Sequence, residues 1–464
     1  MSVLFARPSS STRPRIVRGI VLTPSLALPI IAAHSSVLPI PYALYQTGMV
    51  AGFFAILTVA SVTDYTSTIL LDCAHTTGTT SYEQMAEKSF GVKFRIFTQW
   101  CLLLLLFGNL CGSLTALGEV AGVAVYNLGL APAWEEALTD NHSRLLLIGL
   151  TAVVVFPLCM LRKMRQLEIF GAGGFFVVIL LIVVTVAGAL EKDFPAIRRR
   201  EFQLLSMQED AAEAFGILGF AFYIQPIVLP LLSEMPKGKA GVRVAKNALH
   251  VTIFAFAAVI YLLIGFFGAA QFGDHTKGDI LENFKGKLVP IMDILVTLYL
   301  AVSYPTIQFS LRCSLDKLVA GNDPEFSWGR HTAETVAAVG GSLAVAVFFP
   351  KGSSAMFAIT GSSAVCIVCY IMPVVFHFRF KKFKSKYAGS GMEALGVGVG
   401  NDDRQPLLSE EGAVGVGGGI ASAGAGPGGL RMYDFVVDIA VPVVAVSVGI
   451  AISLLSLLVT IQSL

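Results

Sequence analysis

The charged side chains of this 464-residue chain fall in clusters, and between the clusters lie apolar runs long enough to cross a bilayer, which takes about 20 residues. In hydrocarbon the backbone must satisfy its own hydrogen bonds, so a spanning run is a helix or part of a closed barrel. These runs are too long and too uniform for barrel strands, which alternate over about ten residues. The expected fold class is therefore all-α integral membrane. Eleven spans are expected, at 16–41, 48–71, 95–126, 144–161, 166–190, 211–232, 247–272, 288–311, 332–350, 355–378 and 433–461. Charged residues are 14% of the chain and hydrophobic residues 55%, against about 25% charged in a soluble domain. That balance excludes a soluble enzyme, a nucleic-acid binder and a disordered chain. A net charge of +2 carries no message about acidic partners.

Lys and Arg set the orientation. With the N-terminus in the cytoplasm, 24 of the 33 basic residues fall on the cytoplasmic side. The loop holding Arg198, Arg199 and Arg200 runs against the bias, but Glu191, Asp193, Glu201, Glu209 and Asp210 balance it. The organisation expected is a cytoplasmic tail (1–15), a ten-helix core (16–378), a Gly-rich cytoplasmic linker (379–432), and an eleventh helix with a short C-terminus (433–464). The first apolar run is interrupted by Pro24, Pro29, Pro39 and Pro41, so it reads as a retained, broken helix rather than a cleavable signal. The linker opens with Arg379, Lys381, Lys382, Lys384 and Lys386, suited to anionic headgroups. It continues as Gly/Ala/Ser-rich low complexity, which buries too little apolar surface to order itself.

Most of the seven cysteines lie inside spans, where Cys behaves as a small hydrophobe. No structural disulfide is expected, and Cys366-x-x-Cys369 on an apolar helix reads as packing rather than a zinc site. No cofactor or metal is implied. Gly108, Gly112, Ser113, Gly118 and Gly122 in the third run suit close helix contact.

Two runs carry helix-breaking residues at corresponding positions of two five-helix halves. The first reads TPSLALPIIAAHSSVLPIPYA. The sixth reads FGILGFAFYIQPIVLPLLSEMP, with Gly216, Gly219, Pro226 and Pro230. Paired interrupted spans point to a midplane site lined by freed backbone groups. His34, Ser35 and Ser36 sit at the first break, and His34 titrates near neutral pH, which makes it a candidate proton-coupling group. Glu119 is a lone carboxylate in the third span and a functional candidate by default; its alternative is a position near the outer helix end, in water. Asp64 and Asp293 pose the same question. Ser303, Thr306 and Ser310 on the eighth span are candidate cation ligands, against back-bonding to their own helix. Asn141-His142-Ser143 is a glycosylation sequon beside the fourth span. Asp403, four positions before Leu407-Leu408, resembles an acidic dileucine sorting signal, which a receptor reads.

LPIPYALYQTG (38–48), SYEQMAEKSFG (81–91), FGNLCGSLTALGEV (107–120), FAFYIQPIVLPLLSEM (220–235), YLLIGFFGAAQFGD (261–274) with DILENF (279–284), and YPTIQFSLRCSLDKL (304–318) occur in order along nearly the whole chain. Together they resemble the amino acid/auxin permease family, and within it the sodium-coupled neutral amino acid transporters and their vacuolar relatives. The resemblance implies a five-plus-five inverted-repeat fold and cation-coupled amino acid transport by alternating access. It implies that the first and sixth spans hold substrate and the first and eighth the coupling ion. Substrate contact then falls to His34, Ser35, Ser36 and Gly219, with Phe222 and Tyr223 shaping the side-chain end. Coupling falls to His34, Glu119, Ser303 and Thr306. Two departures matter. His34-Ser35-Ser36 replaces the family's Gly-x-Gly, and Ile30 stands where sodium-coupled members carry an Asn ligand. A proton is therefore expected over sodium. The expected partners are an amino acid, the bilayer and a sorting adaptor at 403–408. A transporter-fold nutrient sensor docking through 379–432 is the alternative. A channel lacks repeated filter segments, and an enzyme lacks clustered ligands or a nucleophile with its base.

Overall fold

The computed structural model describes residues 16–17, 20–21, 35–128, 141–161, 165–202, 208, 210–233, 238–284, 289–320, 327–348, 352–387, 447, 450, 454 and 456–458. Ile16–Val17 (β1) and Ile20–Val21 (β2) pair antiparallel, with Ile16 opposite Val21. This corrects the expectation of helix from residue 16. All four strand residues are β-branched, which favours extended backbone, and the register leaves only Arg18 and Gly19 between them.

The helices that follow are α1 (Ile40–Thr47), α2 (Met49–Thr77), α3 (Tyr82–Phe90), α4 (Val92–Asn127), α5 (Asn141–Cys159), α6 (Arg165–Glu191), the single turn α7 (Pro195–Arg198), α8 (Ala211–Ala221) and α9 (Gln225–Ser233). Then come α10 (Lys239–His250), a π-helical stretch (Val251–Ala258), α11 (Val259–Phe272), α12 (Val289–Ala320) and α13 (Trp328–Phe348). The last are α14 (Ser353–Thr360), a second π-helical stretch (Gly361–Ile371) and α15 (Met372–Tyr387). Among the described residues six helical segments are long and apolar enough to span, two of them running through the π stretches at 240–275 and 353–380. The tenth expected span continues through α15 to Tyr387, so the basic cluster expected to open the linker belongs to helix.

Local signals explain the joints. Gly78 ends α2 at φ 63°, a left-handed conformation that glycine adopts without steric cost. Ser81 caps α3, its hydroxyl accepting the Gln84 amide at 3.2 Å, while the Gln84 side chain accepts the Thr80 amide at 3.4 Å. The two bonds satisfy orphan donors reciprocally, in the manner of a capping box.

Contacts between distant segments sort the connections into two ends. At one end Lys317 lies 3.9 Å from Glu83, Arg379 donates to the Ser89 carbonyl at 2.8 Å, and His331 meets the Met160 carbonyl at 3.1 Å. At the other, the Ser353 amide meets Glu119, Asn127 donates to Asp293 at 2.6 Å, and the Ile280 amide donates to the Leu38 carbonyl at 3.4 Å. This is the alternation that successive membrane crossings require. In the Arg-rich loop, Arg198 pairs with Asp193 and Arg199 with Glu201.

Helix α4 lies at the centre, against α12, α14, α5 and α13. Lipid supplies no hydrophobic drive between helices, so small residues that admit close approach hold such bundles together. A Cβ on Gly108 would stand 2.4 Å from the Thr360 hydroxyl, and one on Gly112 2.4 Å from the Phe357 ring. Phe54, Trp100, Leu104, Val153 and Phe176 are exposed, a periphery suited to acyl chains.

Candidate functional site

The sixth span is broken at Phe222–Ile224, between α8 and α9. The expected breakers are not in the gap. Pro226 sits in the first turn of α9, where no backbone N–H is needed, and Gly216 packs inside α8 against the Ala358 carbonyl. What holds the gap open is capture of its backbone groups by other spans. The last carbonyls of a helix lack intrahelical partners. Here the Tyr370 hydroxyl donates to the Gly219 carbonyl at 3.3 Å, and the Tyr261 hydroxyl to the Ala221 carbonyl at 2.8 Å. The Tyr223 amide donates to the Phe220 carbonyl at 3.2 Å. On the far side the Ile224 amide donates to the Gln225 side-chain oxygen at 3.0 Å, and the Gln225 amide nitrogen donates to Thr66 at 3.0 Å. Gln225 is fully buried.

The expected substrate residues converge here in part. Ser36 is buried and hydrogen-bonds Tyr261, which joins the exit of the first span to the sixth-span break. Phe222 meets Tyr261 edge-on, with ring centroids 5.0 Å apart. Tyr223 bonds Asn109 of α4. Gly219 leaves open space, the nearest atom to an added Cβ being the Gly361 carbonyl oxygen at 3.9 Å. Phe220 stacks on Phe357 at 4.7 Å and lies 5.0 Å from the Tyr223 ring. Ser35 opens a single turn, Ser35–Val37. Ile30, His34 and the Asp403, Leu407, Leu408 motif lie outside the described residues. Asn141 is the first residue of α5.

The coupling candidates bond elsewhere. The Ser303 hydroxyl donates to its own helix at the Tyr299 carbonyl, 2.6 Å away. Thr306 is half-buried, and its carbonyl accepts from Ser310 at 3.2 Å. Both carboxylate oxygens of Glu119 accept the Ser353 amide, at 3.2 and 3.3 Å, so Glu119 meets the N-terminus of α14. Among the described residues no three His, Cys, Asp or Glu side chains group as metal ligands. The seven cysteines carry free thiols, and six are buried.

Sequence reasoning missed Asn109, Gln225, Tyr261 and Tyr370. A polar group inside an apolar run was the available signal for the first two. It also missed Asp279, in the loop before α12. Asp279 is buried, its Oδ1 accepts the Leu281 amide at 2.9 Å, and its Oδ2 has no partner among the described residues. Burial pushes its carboxyl well above the usual range, and the charges of Glu282, Glu119 and Asp293 push the same way. Asp293 is fully buried and accepts from Asn127. Asp64 hydrogen-bonds His250 at 2.5 Å, and Asp72 pairs with Lys246 at 2.7 Å, so two polar contacts join α2 to α10.

The gap thus gathers polar groups inside an apolar bundle. Among solved structures, the chain resembles the manganese transporter of Eremococcus coleocola, determined with an aromatic bis-isothiourea substituted compound, at 10% identity over 94% of this chain and 95% of that one, with a TM-score of 0.41. Among characterised proteins, it is 23% identical to the zebrafish (Danio rerio) sodium-coupled neutral amino acid symporter 2 over 379 residues, 76% of this chain and 73% of the relative. The family described as transmembrane amino acid transporter protein matches residues 30–393, and the chain belongs to that family of multi-pass membrane transporters, not to an enzyme family.

Proposed function

We propose that the chain is a secondary active transporter of neutral L-amino acids that works by alternating access and is coupled to a cation, to protons in preference to sodium. The observation that carries this reading is the gap at Phe222–Ile224, where polar groups of four spans collect inside an apolar core. The zebrafish relative, by its name a sodium-coupled symporter of neutral amino acids, supports cation coupling and the substrate class. Ile30 supports protons, because its side chain offers no oxygen to an ion, and His34 and Glu119 offer titratable groups. One charge moved down 100 mV supplies about 2.3 kcal/mol, enough for roughly a fifty-fold gradient at about 1.4 kcal/mol per decade.

The basic-residue bias supports a cytoplasmic N-terminus. The Asp403, Leu407, Leu408 pattern supports delivery to an endomembrane such as the vacuole or lysosome through a sorting adaptor. The test is uptake of a labelled amino acid panel into proteoliposomes under a proton gradient or a sodium gradient alone. Proton-driven uptake is expected. Uptake driven by sodium alone overturns the ion assignment and keeps the class. No uptake in folded protein transfers weight to the nutrient sensor.

A further inference from the structure

Asn109 is 2% exposed and makes two hydrogen bonds. Its Oδ1 accepts from the Ser113 hydroxyl, one turn on, at 3.2 Å. In this arrangement the Nδ2 donor faces Tyr223. The Tyr223 hydroxyl accepts from Nδ2. A phenol that accepts through its oxygen still carries its own proton. That proton has no acceptor among the described residues, although the Tyr223 ring is held on both flanks, by Phe220 at 5.0 Å and by the Asn109 bond. Elsewhere in the gap the tyrosine hydroxyls are spent on backbone: Tyr261 on Ala221, Tyr370 on Gly219. The Gln225 side chain already occupies the Ile224 amide, so that amide is closed to a ligand. Tyr223 is therefore the one hydroxyl of this gap, among the described residues, with a donor to offer.

We propose that the Tyr223 hydroxyl donates to the carboxylate of the transported amino acid, and that Asn109 is its positioning residue. This rests on the amino acid reading of the same site, and it reassigns Tyr223 from the side-chain end of the substrate to its carboxylate end. An anion is the acceptor that gains most from a donor fixed in apolar surroundings, since charge-assisted bonds are the stronger ones. Asn109 does not touch the substrate. It holds the phenol oxygen as an acceptor, which leaves the O–H directed away from α4 and into the gap. The ligand class is a free α-carboxylate; an amino acid ester offers only a neutral carbonyl acceptor and gains less from the donor.

The test uses the full chain in detergent and in proteoliposomes, with L-alanine, L-leucine and L-glutamine and the methyl ester of each as probes. Binding is read as ligand-induced thermal stabilisation, and transport as KM and kcat. Wild-type protein is expected to favour acid over ester. Tyr223→Phe keeps the ring and deletes the donor, and is expected to weaken the acids about tenfold to a hundredfold and the esters by a clearly smaller factor. Asn109→Leu is expected to erode the same acid–ester preference through KM with kcat largely kept, and Asn109→Gln to restore part of it. A merely structural role for Asn109 lowers thermal stability without moving the preference. If Tyr223→Phe keeps the wild-type preference, the carboxylate assignment falls while amino acid transport stands. If the wild type binds none of the three acids, the amino acid reading falls and this assignment with it.

Discussion

Glu119 and Ser353 are 234 residues apart in sequence, yet the Ser353 backbone amide lies 3.2 and 3.3 Å from the two carboxylate oxygens of Glu119. The amide belongs to the first turn of α14, so a negative charge on α4 faces the positive end of a second helix. Carboxylates at helix N-termini are stabilising through both the hydrogen bond and the helix dipole. Glu119→Gln keeps an acceptor and removes the charge; Glu119→Ala removes both. The Ala variant is expected to cost about 0.5–2 kcal/mol, read as a lowered melting temperature, and the Gln variant less. If proton-driven uptake survives in Glu119→Gln at an unchanged pH optimum, Glu119 is a cap and not a coupling group. Loss of pH dependence at unchanged stability assigns it to coupling instead.

A second carboxyl at the same end behaves in the opposite sense. Burial and the neighbouring acids raise the pKa of Asp279, so the folded protein binds its proton more tightly than the unfolded chain does. The stability this contributes is fully present below the unfolded pKa of about 3.9. It is lost as pH rises through the raised folded pKa. Asp279→Asn mimics the protonated form and keeps an oxygen for the Leu281 amide. Its melting temperature is expected to exceed that of the wild type at alkaline pH, with the gap closing as the buffer is taken toward pH 4. A gap of constant size across that range means that Asp279 does not titrate as its surroundings dictate.

The six described helical segments long and apolar enough to span were legible in the sequence because apolar length is a local property and charged residues mark its limits. That the sixth span breaks was legible too, from residues that disfavour helix. Where and why it breaks was not. Phe222, Tyr223 and Ile224 include neither glycine nor proline. The gap persists because Tyr261, 40 residues on from Ala221, and Tyr370, 151 residues on from Gly219, take the carbonyls that would otherwise continue the helix. No window on one helix contains that information. Glu119 shows the same limit: its surroundings come from α14, and the sequence around it fits a cap and a coupling group equally well. The glycines of α4 were read correctly as contacts, but their partners, Thr360 and Phe357, emerge only from the fold.

His34 is the candidate for the coupled proton. An imidazole ordinarily has a pKa near 6.5, inside the range over which uptake is measured. His34→Ala is expected to flatten the pH dependence of uptake between about pH 5.5 and 8. A wild-type pH profile in the variant places coupling on another group.

Gly361 and Gly219 separate packing from transport within the same contact. A methyl group on Gly361 would stand 2.0 Å from the Gly216 carbonyl oxygen and 2.9 Å from the Phe220 amide nitrogen. Both obstacles are backbone of α8, which no rotamer change relieves. Gly361→Ala must therefore push α8 off the π-helical stretch of the tenth span, breaking close packing of the kind that holds membrane helices together. Loss of monodisperse folded protein is expected on size-exclusion chromatography. By contrast, a methyl on Gly219 meets nothing nearer than 3.9 Å among the described residues, so Gly219→Ala is expected to fold with a melting temperature close to that of the wild type. The methyl would occupy open space beside the gap at Phe222–Ile224, so a raised KM for amino acid uptake at unchanged stability is the expected signature. If Gly219→Ala transports like the wild type, that space is not used by substrate, and the binding pocket lies on the first-span side of the gap.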